Sequence, residues 1–175
     1  MEPTISQANT CFEGKRYQEV INICNQILLV NANSVDACKL LSKTLLIIGK
    51  IDEAEIYLKQ ALSIKNNDCE LLKDLGNIYK TKGDFPIAKE FFNQALFLNP
   101  DYVPALVNLG IVEINEGNHK NGISLIVKAT ELAPKIMSVW ANLSSAYVQI
   151  GNLGKAESSC LKAIDLEPNL FSTHY

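Results

Sequence analysis

Residues 69–102 read CELLKDLGNIYKTKGDFPIAKEFFNQALFLNPDY, and the spacing of one glycine and one proline in this stretch recurs along the chain. The glycine of Gly83-Asp84-Phe85 stands 34 residues before that of Gly117-Asn118-His119, which stands 34 before that of Gly151-Asn152-Leu153. The same step taken backward reaches Gly49, and Pro100, Pro134 and Pro168 keep the interval. A period of this length marks stacked units, each too small to bury its apolar face alone. Counted from residue 1, the units run 1–34, 35–68, 69–102, 103–136 and 137–170 without insertion, leaving Phe171 to Tyr175.

Aligned on this frame, the eighth position holds Ala8, Ser42, Gly76, Gly110 and Ser144, all small enough for two helix backbones to approach closely. Val20, Ala54, Ala88, Gly122 and Ala156 share another compact position, and Ile27, Ala61, Ala95, Ala129 and Ala163 a third. Around them stand the large groups, Leu41, Leu75, Leu109 and Leu143 in the first half-unit and Leu58, Phe92 and Ile126 in the second. Apolar residues three or four apart in each half place a stripe on each of two helices, so each unit is a helical hairpin. The glycine between the stripes supplies a left-handed cap that ends the first helix, and the proline after the second blocks its continuation. Pro86 falls in the first turn of a second helix, where a missing N–H is tolerated.

Leu72, Leu75-Gly76, Tyr79, Ala88, Phe92, Ala95 and Pro100 in the third unit resemble the tetratricopeptide repeat (TPR) family, as do Trp140, Leu143, Tyr147, Ala156, Ala163 and Pro168 in the fifth. The resemblance covers the whole chain, most strongly from residue 35 onward. It implies an all-α, right-handed α-solenoid of antiparallel helical hairpins, a single array of ten helices with the start of an eleventh. The first unit departs most, with Thr4, Gln7 and Cys11 where large apolar groups are usual and Gly14 one place early, and reads as a divergent N-terminal cap. Phe171-Ser172-Thr173-His174-Tyr175 begins a sixth unit without completing its first helix. This predicts either a longer protein or an open end that a partner, or a second copy through self-association, would cover.

With 47% hydrophobic and 20% charged residues the chain can bury a substantial core. A formal charge of −3 gives no field for nucleic acid, which requires clustered positive charge. The longest apolar run, Leu45-Leu46-Ile47-Ile48, is far short of the roughly 20 residues that cross a bilayer. Met1-Glu2-Pro3-Thr4 lacks a secretory pattern, and the five cysteines form no C-x-x-C pair. Together these predict a cytoplasmic protein with reduced thiols and no membrane association.

In the family, the first helices line a concave groove, and the resemblance implies that positions 2, 5, 6, 9, 12 and 13 of each unit face it. Its N-terminal half then presents Lys39, Lys43, Glu70, Lys73, Asp74, Asn77 and Lys80. Its C-terminal half presents Val107, Asn108, Ile111, Ile114, Asn115, Asn142, Ser145, Val148 and Gln149. An asparagine side chain offers both a donor and an acceptor to an extended peptide. Asp74, Asn108 and Asn142 share position 6, and their spacing resembles the asparagine ladder of the superhelix attached to O-linked N-acetylglucosamine transferases, which implies binding of a partner's polypeptide. Lys73, Asn77 and Asn108 also match three places of the carboxylate clamp in chaperone-binding TPR domains, but Ser138 and Asn142 stand where that clamp has basic residues.

No cofactor, metal site or catalytic constellation is expected. The two histidines, His119 and His174, form no H-E-x-x-H, and the chain has no G-x-S-x-G, G-x-G-x-x-G or phosphate loop. His119 and the cysteines Cys11, Cys24, Cys38 and Cys160 read as packing residues. The function expected is a protein–protein interaction scaffold; the alternative is the substrate-recruiting arm of a larger glycosyl-, sulfo- or methyltransferase. Two departures point to a looser fourth hairpin. Glu113 replaces an apolar or aromatic group, a burial that costs several kcal/mol without a partner, so that Glu113→Leu is expected to raise the melting temperature. Gly122 replaces alanine within a helix, at a cost of about 1 kcal/mol.

Overall fold

The computed structural model describes residues 3–166, and the Phe171–Tyr175 start of a sixth unit lies outside them. The described residues form ten helices: α1 (Ile5–Glu13), α2 (Tyr17–Val30), α3 (Val35–Ile47), α4 (Ile51–Ile64), α5 (Cys69–Lys82), α6 (Phe85–Leu98), α7 (Val103–Asn115), α8 (His119–Leu132), α9 (Met137–Gln149) and α10 (Leu153–Leu166). The second helices begin at Tyr17, Ile51, Phe85, His119 and Leu153, one 34-residue step apart throughout. No strand occurs among the described residues, and the fold is an all-α helical-repeat solenoid. Separately from the 34-residue repeats, the chain divides into two compact units, each spanning more than one repeat: the first unit is Met1–Ile78 and the second unit is Tyr79–Tyr175, with the division inside α5.

Every hairpin turn closes by the same bond. The N–H at unit position 16 donates to the carbonyl five residues earlier: Arg16 to Cys11 (2.9 Å), Lys50 to Leu45 (2.8 Å), Asp84 to Tyr79 (2.9 Å), Asn118 to Glu113 (2.8 Å) and Asn152 to Tyr147 (2.9 Å). This six-to-one closure needs a left-handed residue just before its donor. Gly49, Gly83, Gly117 and Gly151 fill that place with φ between 78° and 87°. In the first hairpin the place belongs to Lys15, at φ 56°, whereas Gly14 beside it keeps φ −74°. The early glycine therefore did not shift the turn.

Several helix starts, those of α1, α3, α5 and α6 among them, are capped by side chains that accept orphan N–H groups. Thr4 and Gln7 form a reciprocal capping box, with the Gln7 N–H on Thr4 Oγ1 at 3.3 Å and the Thr4 N–H on Gln7 Oε1 at 3.0 Å. These two departures of the first unit thus begin α1. Asp68 accepts from Glu70 (2.9 Å) and Leu71 (3.2 Å) at the head of α5 and pairs with Lys65 at 2.8 Å. Burial raises its pKa, but the Lys65 bond and the two amides more than reverse this and hold the carboxyl below the usual range.

The first unit buries Val20, Cys24, Cys38, Leu41, Leu58 and Leu71 almost completely. Burial, with a smaller contribution from Cys38, pushes the Cys24 thiol up to about 11, so it stays protonated and packs as a small hydrophobe. Cys160 instead is exposed, because its place on α10 lies outside the packed stripe. In the second unit Phe92 packs with Ala88, Leu109 and Val112, and Ile126 packs with Ile114, Leu143 and Tyr147.

The fourth hairpin is the reverse of loose. A Cβ placed on Gly122 would lie 2.5 Å from the Gly110 carbonyl oxygen, and one on Gly110 would lie 2.8 Å from that of Gly122. Glycine at both compact positions lets α7 and α8 close to backbone contact, so Gly122 is a packing requirement. The fifth hairpin makes the same approach differently: the Ser144 hydroxyl donates to the Ala156 carbonyl at 2.8 Å.

Two substitutions test these readings by thermal melting. Gly122→Ala gains about 1 kcal/mol of helix propensity but overpacks the backbone contact at about 1–3 kcal/mol, so its melting temperature is expected to fall. Lys15→Gly relieves a left-handed residue and is expected to stabilise by about 1 kcal/mol.

Candidate functional site

In the first unit, α3 and the start of α5 project the predicted lysines and acids into a cleft of about 560 Å³ that also touches Ile5 and Asn9. Two lysines there are matched to carboxylates and a third lies over a ring. Lys39 Nζ donates to Glu70 Oε2, Lys73 Nζ to Asp74 Oδ1, and Lys43 Nζ lies 4.8 Å from the centre of the Phe12 ring. Burial works to lower the Lys39 pKa, but the Glu70 bond and charge, with help from Asp68 and Asp74, outweigh it and raise the amine above its usual value. Lys73 is therefore engaged by Asp74, and half-buried Asn77 follows on the same helix. The first-unit part of the predicted groove is a polar surface whose Lys39 and Lys73 are neutralised within the protein.

The second unit is different. Asn108 on α7 donates Nδ2 to the Pro104 carbonyl at 2.9 Å, and Asn142 on α9 donates Nδ2 to the Ser138 carbonyl at 2.8 Å. The two side chains, one repeat apart, make the same bond to the carbonyl four residues back, which fixes each amide plane on its helix. Asn108 Oδ1 accepts Lys80 Nζ at 2.6 Å, and Asn115 Oδ1 accepts Gln149 Nε2 at 2.8 Å. Ile111 is half-buried against two core clusters, whereas Ser145 and Val148 are exposed. Val107 and Ile114, expected on the groove, are instead buried in the core at 7% and 2% exposure. The unit position alone could not show this, because neighbouring helices cover them.

Of the three predicted rungs, Asn108 and Asn142 lie in the second unit in matching poses. Asp74 lies in the first, bonded to Lys73.

A cluster that the repeat spacing does not reveal surrounds Glu113, which is 7% exposed. Lys89 Nζ on α6 lies 2.8 Å from Glu113 Oε1 and 2.9 Å from Glu116 Oε2, and Asn118 Nδ2 donates to Glu113 Oε2 at 2.8 Å. Glu113 therefore has the partners that its burial needs, and the liability expected of it is absent. Burial alone would raise its pKa, but the Lys89 and Asn118 hydrogen bonds, with the Lys89 charge and an Asn121 bond, hold it below the usual value of 4.5. The same pairing raises Lys89. His119, expected to pack, is exposed beside this cluster in a cleft of about 790 Å³. The clue in the sequence was the spacing of Lys89, Glu113 and Glu116, but nothing local linked α6 to α7.

Ten helices in hairpins with left-handed turn glycines and paired compact positions define a TPR-type helical repeat. Residues 38–165 match the model of the cilia and flagella-associated protein 70 middle TPR-like domain, and the chain belongs to that family. Among solved structures it is similar to TTC0263, a thermophilic TPR protein of Thermus thermophilus, with 19% identity, 94% of this chain and 90% of that one covered, and a TM-score of 0.81. It is also similar to MamA (22% identity, 92% and 94% covered, TM-score 0.75). A third similar structure is YrrB, described as a TPR protein with an unusual peptide-binding site (21% identity, 94% and 85% covered, TM-score 0.68). At these identities the likeness establishes the fold. No curated protein sequence matches the chain significantly.

The Glu113 cluster yields a reversed expectation. Glu113→Leu leaves Lys89 with Glu116 alone and strands the Asn118 amide, so stability is expected to fall by about 1–3 kcal/mol at pH 7. Because the folded-state pKa is lowered, the carboxylate's contribution is complete above its ordinary 4.5 and is lost as pH falls through the lower folded value. Chemical denaturation of wild type and Glu113→Gln should thus show a gap that is full at neutral pH and closes in acid below 4.5.

Proposed function

We propose that this chain is a protein-interaction scaffold whose second-unit inner face holds an extended peptide of a partner protein. The observation that carries this reading is the matched pose of Asn108 and Asn142, each with one N–H committed to its own helix. The second N–H of each amide faces outward from that bond, and Asn142 keeps its carbonyl oxygen as well. A strand laid across both helices has unpaired backbone groups that fit such amides. Ile111 offers an apolar floor between them, and exposed Ser145 and Gln149 extend the polar lining. The peptide-binding site described for YrrB supports the same use of the fold.

The charged first-unit residues Lys39, Lys43, Lys73 and Asp74, with the neutral amide Asn77, are part of the proposed scaffold. Their contribution is steering and solubility, since Lys39 and Lys73 are paired with Glu70 and Asp74. The five 34-residue units read together as one binding scaffold without chemistry of its own. Among the described residues no helix is long and apolar enough to cross a membrane, and no group of His, Cys, Asp and Glu could hold a metal ion.

The test is retention of N-acetylated, C-amidated random nonapeptides on the immobilised protein. Asn108→Ala/Asn142→Ala removes two amide contacts, so affinity for the retained peptides is expected to drop by about ten- to a hundredfold, with the melting temperature lowered by the loss of the Lys80 bond but the fold kept by circular dichroism. Equal retention by the double variant would remove the asparagines from the site.

A further inference from the structure

Lys80 lies in the last turn of α5, within the second unit, and its setting differs from that of the lysines paired with carboxylates. Lys89 is shared by Glu113 and Glu116, and Lys128 meets Asp101 at 2.8 Å. In the first unit Lys39 and Lys73 each touch a carboxylate. Lys80 is half-buried, and its hydrogen-bond partner is the neutral Asn108 Oδ1 at 2.6 Å. Among the described residues no carboxylate pairs with it. Burial accordingly pushes its amine below the usual value with no anion to offset the desolvation. A withdrawn ammonium without a counter-ion is unfavourable for the free protein, and a ligand carboxylate would relieve it.

We propose that Lys80 reads charge on the bound peptide, accepting the side-chain carboxylate of an aspartate or glutamate in an extended segment. This deepens the asparagine reading above and rests on it. The ammonium has three donors and uses one on Asn108, so two remain for a carboxylate. Asn108 sets the direction: its Nδ2 is tied to Pro104, which turns Oδ1 to the amine and fixes the lysine beside the amide. The rest of the face, from Ile111 and Asn115 to Asn142 and Gln149, carries no charge that would compete or attract a cation. The acid is assigned to a side chain because the two asparagines engage backbone, and the Asn142 contact carries the strand one repeat beyond the lysine.

The experiment uses pools of N-acetylated, C-amidated nonapeptides, random except for a central residue fixed as Asp or Glu, or as Asn or Gln. Wild type is expected to prefer the acid-centred pools by about tenfold, which is ~1.4 kcal/mol, and Lys80→Gln is expected to bind both alike. Equal binding of both pools by wild type, or a preference that survives in Lys80→Gln, would overturn the role of Lys80 while leaving the asparagines in place. Retention of no pool at all would remove both proposals. A third pool with an amide centre and a free C-terminus completes the design: if it matches the acid-centred pools, the face reads a chain end and the side-chain assignment fails. Independently of any peptide, Lys80→Met removes the uncompensated charge and should raise the melting temperature; a fall would show a structural lysine and sink the proposal.

Discussion

The structure depends on how closely two helix backbones can approach within a hairpin. Unit positions 8 and 20 hold compact residues, from glycine and alanine to Val20, with large side chains on either side. The pair Gly110 and Gly122 carries this to its limit, since neither can accept a Cβ without displacing a backbone oxygen. The fifth hairpin reaches a similar geometry with a serine hydroxyl on the Ala156 carbonyl. Close approach leaves no tolerance for a drifting turn. The left-handed residue and the six-to-one bond set the angle at which the second helix returns, and the chain holds a lysine at φ 56° sooner than give up that geometry.

On this frame, polar groups divide into those that hold hairpins together and those that are presented. The Lys89, Glu113, Glu116 and Asn118 cluster is of the first kind, with a buried carboxylate whose donors all come from the protein. The charged residues on α3 and α5 are largely of the first kind too. In the function proposed above, Asn108, Asn142 and Lys80 are of the second kind, because their helices orient them while leaving donor capacity unused. What sets Lys80 apart from Lys39 and Lys73 is its partner, an amide in place of a carboxylate, and the count of charged residues does not reveal it.

The hairpin order was legible in the residues because each determinant is local. A glycine at a fixed offset, a proline after the second helix and apolar groups three or four apart act within one or two helical turns. Thr4 and Gln7 look like weak core residues on a repeat template, yet they form a capping box, which acts through backbone amides and not through burial. Glu113 and Gly122 were misjudged for the opposite reason. Their effect depends on Lys89 and Gly110, which the chain brings alongside only after the helices pack. Val107 and Ile114 likewise looked available from their unit positions, but adjacent helices cover them.

The sequence by itself determined the period, the ten helices, the turns that join them and the family, since these follow from short-range sterics and hydrogen bonding repeated five times. Only the tertiary structure decided which charges are matched. Lys39 meets Glu70 across 31 residues of chain and Lys89 meets Glu116 across 27, while Lys80 meets only an amide 28 residues away. A charge's partner depends on distances of a few ångströms between side chains on separate helices, and no spacing along the chain specifies those.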